Sequence, residues 1–374
     1  MMHESTGSDS EKSRPRPRVN CLRRGGVFWG GHLHEPIYFY RLMGQTRARQ
    51  DWMKGRELAG VDMTAPWLEQ WFDLCRSDKT LDELAGAGVN CLYLNWFKGF
   101  GLQYEAAMMK RMADVIAGCK RRGIRVTVYI QPSNFFADIL RQEAPMVDEW
   151  IGRDARGEPI RYGSVGFRPL ACLQHPDWLA MVRQAVTAAA QAGADGIFLD
   201  NLNHNECCCE RSRQAYRQFT GDPGADLIAE AGGARATAFR VAGTMELVAM
   251  VTEAARTINP DCAVMSNPAW PRAADMMATG IDIVRLGRAT DVVMFENKDF
   301  PRMGDGRLIG SSLGYRRMEA VGAMGVPSPW MPDMSLPADP VAITRQLGEP
   351  LIFGGHIMAG PWALRPLGDG RATA

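Results

Sequence analysis

Two carboxylates close apolar runs in this chain, where a folded strand would hold them rigidly. Asp200 follows Gly196-Ile197-Phe198-Leu199 without a break, and Glu296 ends the run Asp291–Glu296 (DVVMFE). At or just beyond the ends of comparable runs stand His32, His34, Asn95, Trp96, Gln131, Asn203, His204, Asn267, Trp270, Trp330 and Asp333. Asn, Gln and His offer planar hydrogen-bonding groups for hydroxyls. The indoles of Trp96, Trp270 and Trp330 offer flat faces for the C–H side of a sugar ring. Cleavage of a glycosidic bond needs two carboxyls flanking it, one as acid and one as nucleophile or base. Each residue also has a plainer use. An aspartate after a strand often caps the next helix or loop. Glu296 could pair with Lys298 or an arginine, the WMPDM segment around Asp333 could be a turn, and the tryptophans could simply fill space.

Two further groups bear on metal chemistry. His32-Leu33-His34 has the His-x-His form of metal-dependent barrel hydrolases, but such sites need further His or carboxylate ligands from later strands. Where those histidines would stand, the chain has Asn267 and Glu296. A histidine that binds substrate or packs is the better reading. Glu206-Cys207-Cys208-Cys209-Glu210 holds three consecutive cysteines. Adjacent side chains diverge, and the usual zinc spacing is Cys-x₂₋₄-Cys. Free thiols packing a loop are expected there, with no metal and no cofactor.

The elements that would carry these residues alternate between short apolar runs and helical stretches, the signature of a parallel βα sheet. Strands are expected at Gly26–Gly30, Val89–Asn95, Arg125–Gln131, a run finishing at Asp200, Cys262–Asn267, Asp291–Glu296, Val326–Met331 and Leu351–Met358; the last two are the weakest, and LIFGGHIM could equally extend a helix. Helices are expected over 62–74, 104–122, 177–191, 211–219, 236–258, 310–324 and 340–347, and Leu81–Gly86 leads into the turn before strand two. The stretch from Pro132 to His175 reads as a long, hairpin-like excursion. The fold class is α/β, a (β/α)₈ barrel with a long loop after strand three. In such a barrel the chemistry sits at the C-terminal strand ends. An open doubly wound sheet would carry a glycine-rich phosphate turn after strand one. That place reads GGHLHEP instead.

Composition sets the outer bounds. The chain has 374 residues, 46% of them hydrophobic, with 43 basic and 42 acidic side chains. That charge balance argues against general binding to nucleic acid or membrane surfaces. Residues 1–18 read as a disordered polar arm and 19–374 as the catalytic barrel. With no apolar leader or spanning run, a cytoplasmic location is expected. Nine cysteines, mostly scattered beside apolar residues, fit a reducing compartment.

The segments HPDWLAMVRQAV, GADGIFLDN and CCCERSRQAYRQF resemble the hypothetical glycosyl hydrolase 6 family, as do RDARGEPIRYG and ACLQHPDW ahead of them. More distantly they resemble alpha-L-fucosidase and family 42 beta-galactosidase barrels. The resemblance spans roughly Gly26 to Gly360, and its specific part runs from Arg153 to Phe219. It implies that Asp200 is the nucleophile and Glu296 the acid/base of a retaining glycoside hydrolase acting on an oligosaccharide or glycoside. The turn here is Cys-Cys-Cys rather than the spaced cysteines the resemblance implies. Two other classes stay open: a carbohydrate-binding barrel without catalysis, and a metal-dependent hydrolase using His32 and His34.

Overall fold

The computed structural model describes residues 27–32, 70, 73–74, 76–162, 165–202, 206–268, 280–297, 302–309, 312–321, 324–329 and 357–359. The expected arm, residues 1–18, and the expected helices over 62–74 and 340–347 lie wholly or largely outside them.

Among the described residues, eight strands build the main sheet: β1 (Val27–His32), β2 (Cys91–Phe97), β3 (Arg125–Ile130), β4 (Gly196–Leu199), β5 (Ala263–Ser266), β6 (Val292–Asn297), β7 (Met324–Pro329) and β8 (Ile357–Ala359). They form one sheet in the order β7-β6-β5-β4-β3-β2-β1-β8. Every pairing in it is parallel. Residues of the two edge strands, β7 and β8, approach within 8 Å between Cα atoms. The helices between strands are α1 (Asp78–Gly86), α2 (Leu102–Arg121), α3 (Pro176–Gln191), α4 (Glu210–Thr220), α5 (Ala234–Ile258), α6 (Ile283–Ala289) and α7 (Ser312–Ala320).

The helix boundaries follow from local chemistry. Ser77 caps α1 by accepting the Thr80 N–H at 3.2 Å. Asp282 caps α6, accepting Val284 N–H at 2.9 Å and Arg285 N–H at 3.1 Å. Pro176 opens α3, where its missing N–H costs nothing. Gly221 ends α4 in the left-handed conformation, φ 68°.

Strand alternation sorts the core into two faces. Tyr93, Tyr129, Phe198, Met265 and Met294 pack with one another on one face. Leu92, Leu94, Trp96, Val126, Val128, Ile197, Leu199 and Val264 face the other way, against Met112 and Ile116 of α2, Val182 of α3 and Val251 of α5. Each such side chain contributes about 1.5–3 kcal/mol by leaving water. Gly196 is required where β3 and β4 approach: a Cβ there would lie 2.7 Å from Thr127 Oγ1.

The strand boundaries differ from the sequence expectation by a few residues. The excursion after β3, expected to be hairpin-like, contains the antiparallel strand pair Arg161–Tyr162 and Val165–Pro169. A second hairpin, Arg302–Gly304 with Arg307–Ile309, follows β6 where no strand was expected. Its turn is Asp305-Gly306, both at positive φ (49° and 71°), which suits the tight connection of a hairpin.

Candidate active site

Asp200 stands one residue past β4, 7% exposed. Its Oδ1 accepts from Asn267 Nδ2 at 2.8 Å. Its Oδ2 accepts from Tyr129 OH at 2.8 Å and from Asn201 Nδ2 at 2.5 Å. Asn267 follows β5 and Tyr129 lies in β3, so three neighbouring strand ends converge on one carboxylate. Asn201 reaches back because its backbone is left-handed, φ 48°, a conformation that Asn tolerates better than most residues. Its Oδ1 accepts from Tyr162 OH at 2.8 Å, which ties the excursion hairpin to the carboxylate.

Tyr129 links this carboxylate to Gln131. Gln131 Nε2 donates to the phenol oxygen at 3.0 Å, and the phenol donates onward to Asp200. Burial, then the Asp200 charge, push the phenol well above its ordinary range, so Tyr129 stays a proton donor. The Lys98 ammonium lies 4.0 Å from the centre of the Tyr129 ring. Its loop is pinned by the buried Glu105 at the start of α2, whose carboxylate accepts Lys98 N–H and Phe100 N–H, each at 2.8 Å. Gly99, at φ 88°, lets that loop lie against Asn134 and Phe135.

Of the residues expected from sequence, Asp200, Gln131 and Asn267 join this network. Asn95 is buried in β2, in register with Tyr129. Trp96 is a correction. It belongs to the face packed on the helices, and its Nε1 donates to Ala185 O of α3 at 3.1 Å. Strand alternation puts it opposite Asn95, so it cannot stack on a ligand beside Asp200. Glu296 occupies β6 two residues beyond Met294, in register with Ser328, and His32 lies in β1 in register with Leu94. The side chains of both lie outside the described groups. His34, Asn203, His204, Trp270, Trp330 and Asp333 lie outside the described residues. Sequence reading missed Tyr129, Lys98, Tyr162 and Arg168. Tyr129 was legible: in VTVYIQ it shares the period-two face with Thr127 and Gln131.

The cysteine run behaves differently from a simple packed turn. Cys208 turns toward Tyr216 and Phe239, while Cys207 and Cys209 meet Cys172, which follows the excursion hairpin. The three sulfurs lie within 4.8 Å of one another, with Cys172 Sγ 3.6 Å from Cys209 Sγ and 3.4 Å from Ser212 Oγ. Hydrogen bonds from Cys172 and Cys207 hold the Cys209 thiol down, while hydrogen bonds with Cys207 and Cys209, and then burial, push the Cys172 thiol up. Thiolates about 2.3 Å from a tetrahedral zinc ion lie about 3.8 Å apart, so Cys172, Cys207 and Cys209 could hold a thiophilic metal.

No protein-family model and no curated protein matches the chain, so the hypothetical glycosyl hydrolase 6 family is not shown. Solved structures do match. The beta-galactosidase of the psychrophilic Marinomonas ef1 is 13% identical, with a TM-score of 0.56 over 80% of this chain and 53% of that one. The cold-adapted beta-galactosidase of Rahnella sp. R3 is 15% identical, with a TM-score of 0.57 over 78% and 49%. The beta-galactosidase of the haloarchaeon Halorubrum lacusprofundi is 14% identical, with a TM-score of 0.52 over 76% and 50%. The chain spans about half the length of these enzymes. At these identities the likeness is one of fold: a parallel α/β architecture of the kind on which these beta-galactosidases are built.

Proposed function

We propose that this chain is a glycoside hydrolase whose sheet closes as a (β/α)₈ barrel, with Asp200 as nucleophile. The observation that carries the reading is the setting of Asp200. It is a buried carboxylate at a C-terminal strand end, aimed by three neutral donors. Among the described residues no cation pairs with it. A carboxylate not offset by a cation is placed to face a centre that becomes positive in the transition state, as the anomeric carbon does. The strand order and the approach of β7 to β8 support closure, and the solved beta-galactosidases support the enzyme class as an analogy of fold.

In this reading Asp200 attacks the anomeric carbon to form a glycosyl ester. Glu296 protonates the leaving oxygen and then activates water. Retention requires the two carboxyls to lie about 5–5.5 Å apart. Tyr129, Asn201 and Asn267 orient Asp200, and Asn95 with Gln131 offers amide groups to hydroxyls. The substrate is an oligosaccharide or glycoside.

The test is trapping with 2-deoxy-2-fluoro aryl glycosides followed by peptide mass spectrometry. The expected result is one added glycosyl mass on the peptide bearing Asp200. Turnover of aryl glycosides by Asp200→Asn at the wild-type rate sinks the assignment.

A further inference from the structure

Arg168 lies in the excursion hairpin and is 7% exposed. Its guanidinium carbon sits 4.3 Å from the centre of the Tyr162 ring and 5.2 Å from that of Phe136. Its Nε donates to Asn134 Oδ1 at 2.5 Å. One ring contact leads directly to the candidate active site: the Tyr162 hydroxyl holds Asn201, which holds Asp200. The positive charge of Arg168 is also felt at the Tyr129 phenol.

The surroundings of this charge are informative. Guanidinium offers five N–H donors, and among the described residues only the Nε donor is used. Three other shielded arginines each have a carboxylate: Arg122 has Asp82, Arg256 has Asp291 and Arg240 has Glu206, whereas the half-buried Arg153 spends its guanidinium on the carbonyls of Gly157 and Asp148. Among the described residues no carboxylate pairs with Arg168. A shielded charge costs free energy unless something compensates it, and the ring contacts supply only part of that. What remains is a planar two-nitrogen fork, pre-oriented by Asn134 and the two rings. That shape fits the two oxygens of a carboxylate. Lys98, at the Tyr129 ring, adds a second positive charge to the region.

We infer that Arg168 is a specificity-determining residue, and that the site takes a sugar bearing a carboxylate, a uronic acid, with its carboxylate on the Arg168 fork. This rests on the glycoside hydrolase reading for the sugar and on the fork alone for the acid.

The experiment is calorimetric titration of the wild-type chain at neutral pH. The probes are D-glucuronate, D-galacturonate and L-iduronate, each against its neutral parent, D-glucose, D-galactose or L-idose. A charge-assisted two-point contact predicts that at least one uronate binds about tenfold to a hundredfold tighter than its parent. That preference is expected to vanish in Arg168→Gln and to shrink in Arg168→Lys, which keeps the charge and loses the fork. Melting curves establish that the variants fold. If neither does, the wild-type comparison decides alone. Equal binding within every pair, or no binding by any uronate, overturns the inference. So does tighter binding of glucose 6-sulfate than of all three uronates.

Hydrolysis of 4-nitrophenyl glycuronides and glycosides separates the two readings. Uronate binding without turnover of any glycoside sinks the hydrolase and leaves the fork. Equal kcat/KM on charged and neutral glycosides sinks the fork and leaves the hydrolase.

Discussion

Strand β4 is flanked by an aspartate at each end, and the two have opposite surroundings. Before the strand, Asp195 accepts Val126 N–H at 3.0 Å and Arg125 Nη1 at 2.9 Å. Asp291, before β6, repeats the device with Val264 N–H at 2.8 Å and Arg256 Nη2 at 2.9 Å. These carboxylates tie one strand to the next and are neutralised where they lie. After the strand, Asp200 receives only the neutral donors of Tyr129, Asn201 and Asn267. Side-chain donors aim it, and among the described residues no arginine or lysine cancels its charge. Residue type and strand are the same, so the partners decide which aspartate serves the fold and which is left for chemistry. The division matches the general polarity of parallel βα folds, with stability at the N-terminal strand ends and reactivity at the other.

The strongest way to break the comparison is to neutralise the upper aspartate. Asp200→Asn keeps the shape and removes the nucleophile, so kcat on aryl glycosides is expected to fall on the order of 10⁴-fold. The melting temperature should hardly move, which differential scanning calorimetry reads. Tyr129→Phe comes next. It removes one hydrogen bond to a charged group, worth about 1.5–3 kcal/mol, so kcat/KM is expected to drop about tenfold to a hundredfold. If Tyr129→Phe leaves kcat/KM unchanged but lowers stability, the phenol serves packing and not the carboxylate.

The lower aspartate should respond in the opposite sense. Asp195→Ala strands a buried backbone N–H and takes the carboxylate from Arg125, which is expected to cost about 1–3 kcal/mol of unfolding free energy in urea titrations. Its kcat per folded molecule should match the wild type. Loss of turnover in a still-folded Asp195→Ala chain would mean that the two ends of β4 are not separable.

Much of this arrangement was legible in the sequence, because it depends on period. Apolar runs that alternate with helical stretches yielded the order of strands. The end of the GIFLD run marked Asp200. What failed depended on which face a side chain takes and on contacts distant in sequence. Trp96 lies next to Asn95, and a one-residue step reverses its face, so composition near a strand end could not separate the two. Tyr162 and Arg168 come from an excursion with no regular period. Cys172 meets Cys209 only because the hairpin folds back, so the run of three cysteines could not reveal the cluster on its own. The Asp305-Gly306 hairpin was readable from its turn, but its strands are three residues each and carry little pattern.

The smallest predicted effect concerns His175, which stands just ahead of α3 near the cysteine cluster. It is 3% exposed, and its ring nitrogens make no hydrogen bond among the described residues. Burial first, and the Arg211 charge second, lower its pKa, against the opposing pull of Asp177, Glu149 and Cys209. The folded state therefore prefers the neutral ring. Once pH falls below the unfolded value of about 6.5, the unfolded chain binds the proton more readily than the folded one. The stability this histidine contributes is present above that pH and is lost as pH falls. The lower ends of β4 and β6 contain ion-paired carboxylates, whereas this side of the fold contains a shielded imidazole that acid must charge. Melting temperatures between pH 7 and pH 5 should fall more steeply for the wild type than for His175→Gln, which cannot titrate. Parallel slopes would place the acid sensitivity elsewhere and remove His175 from the contrast between the two ends.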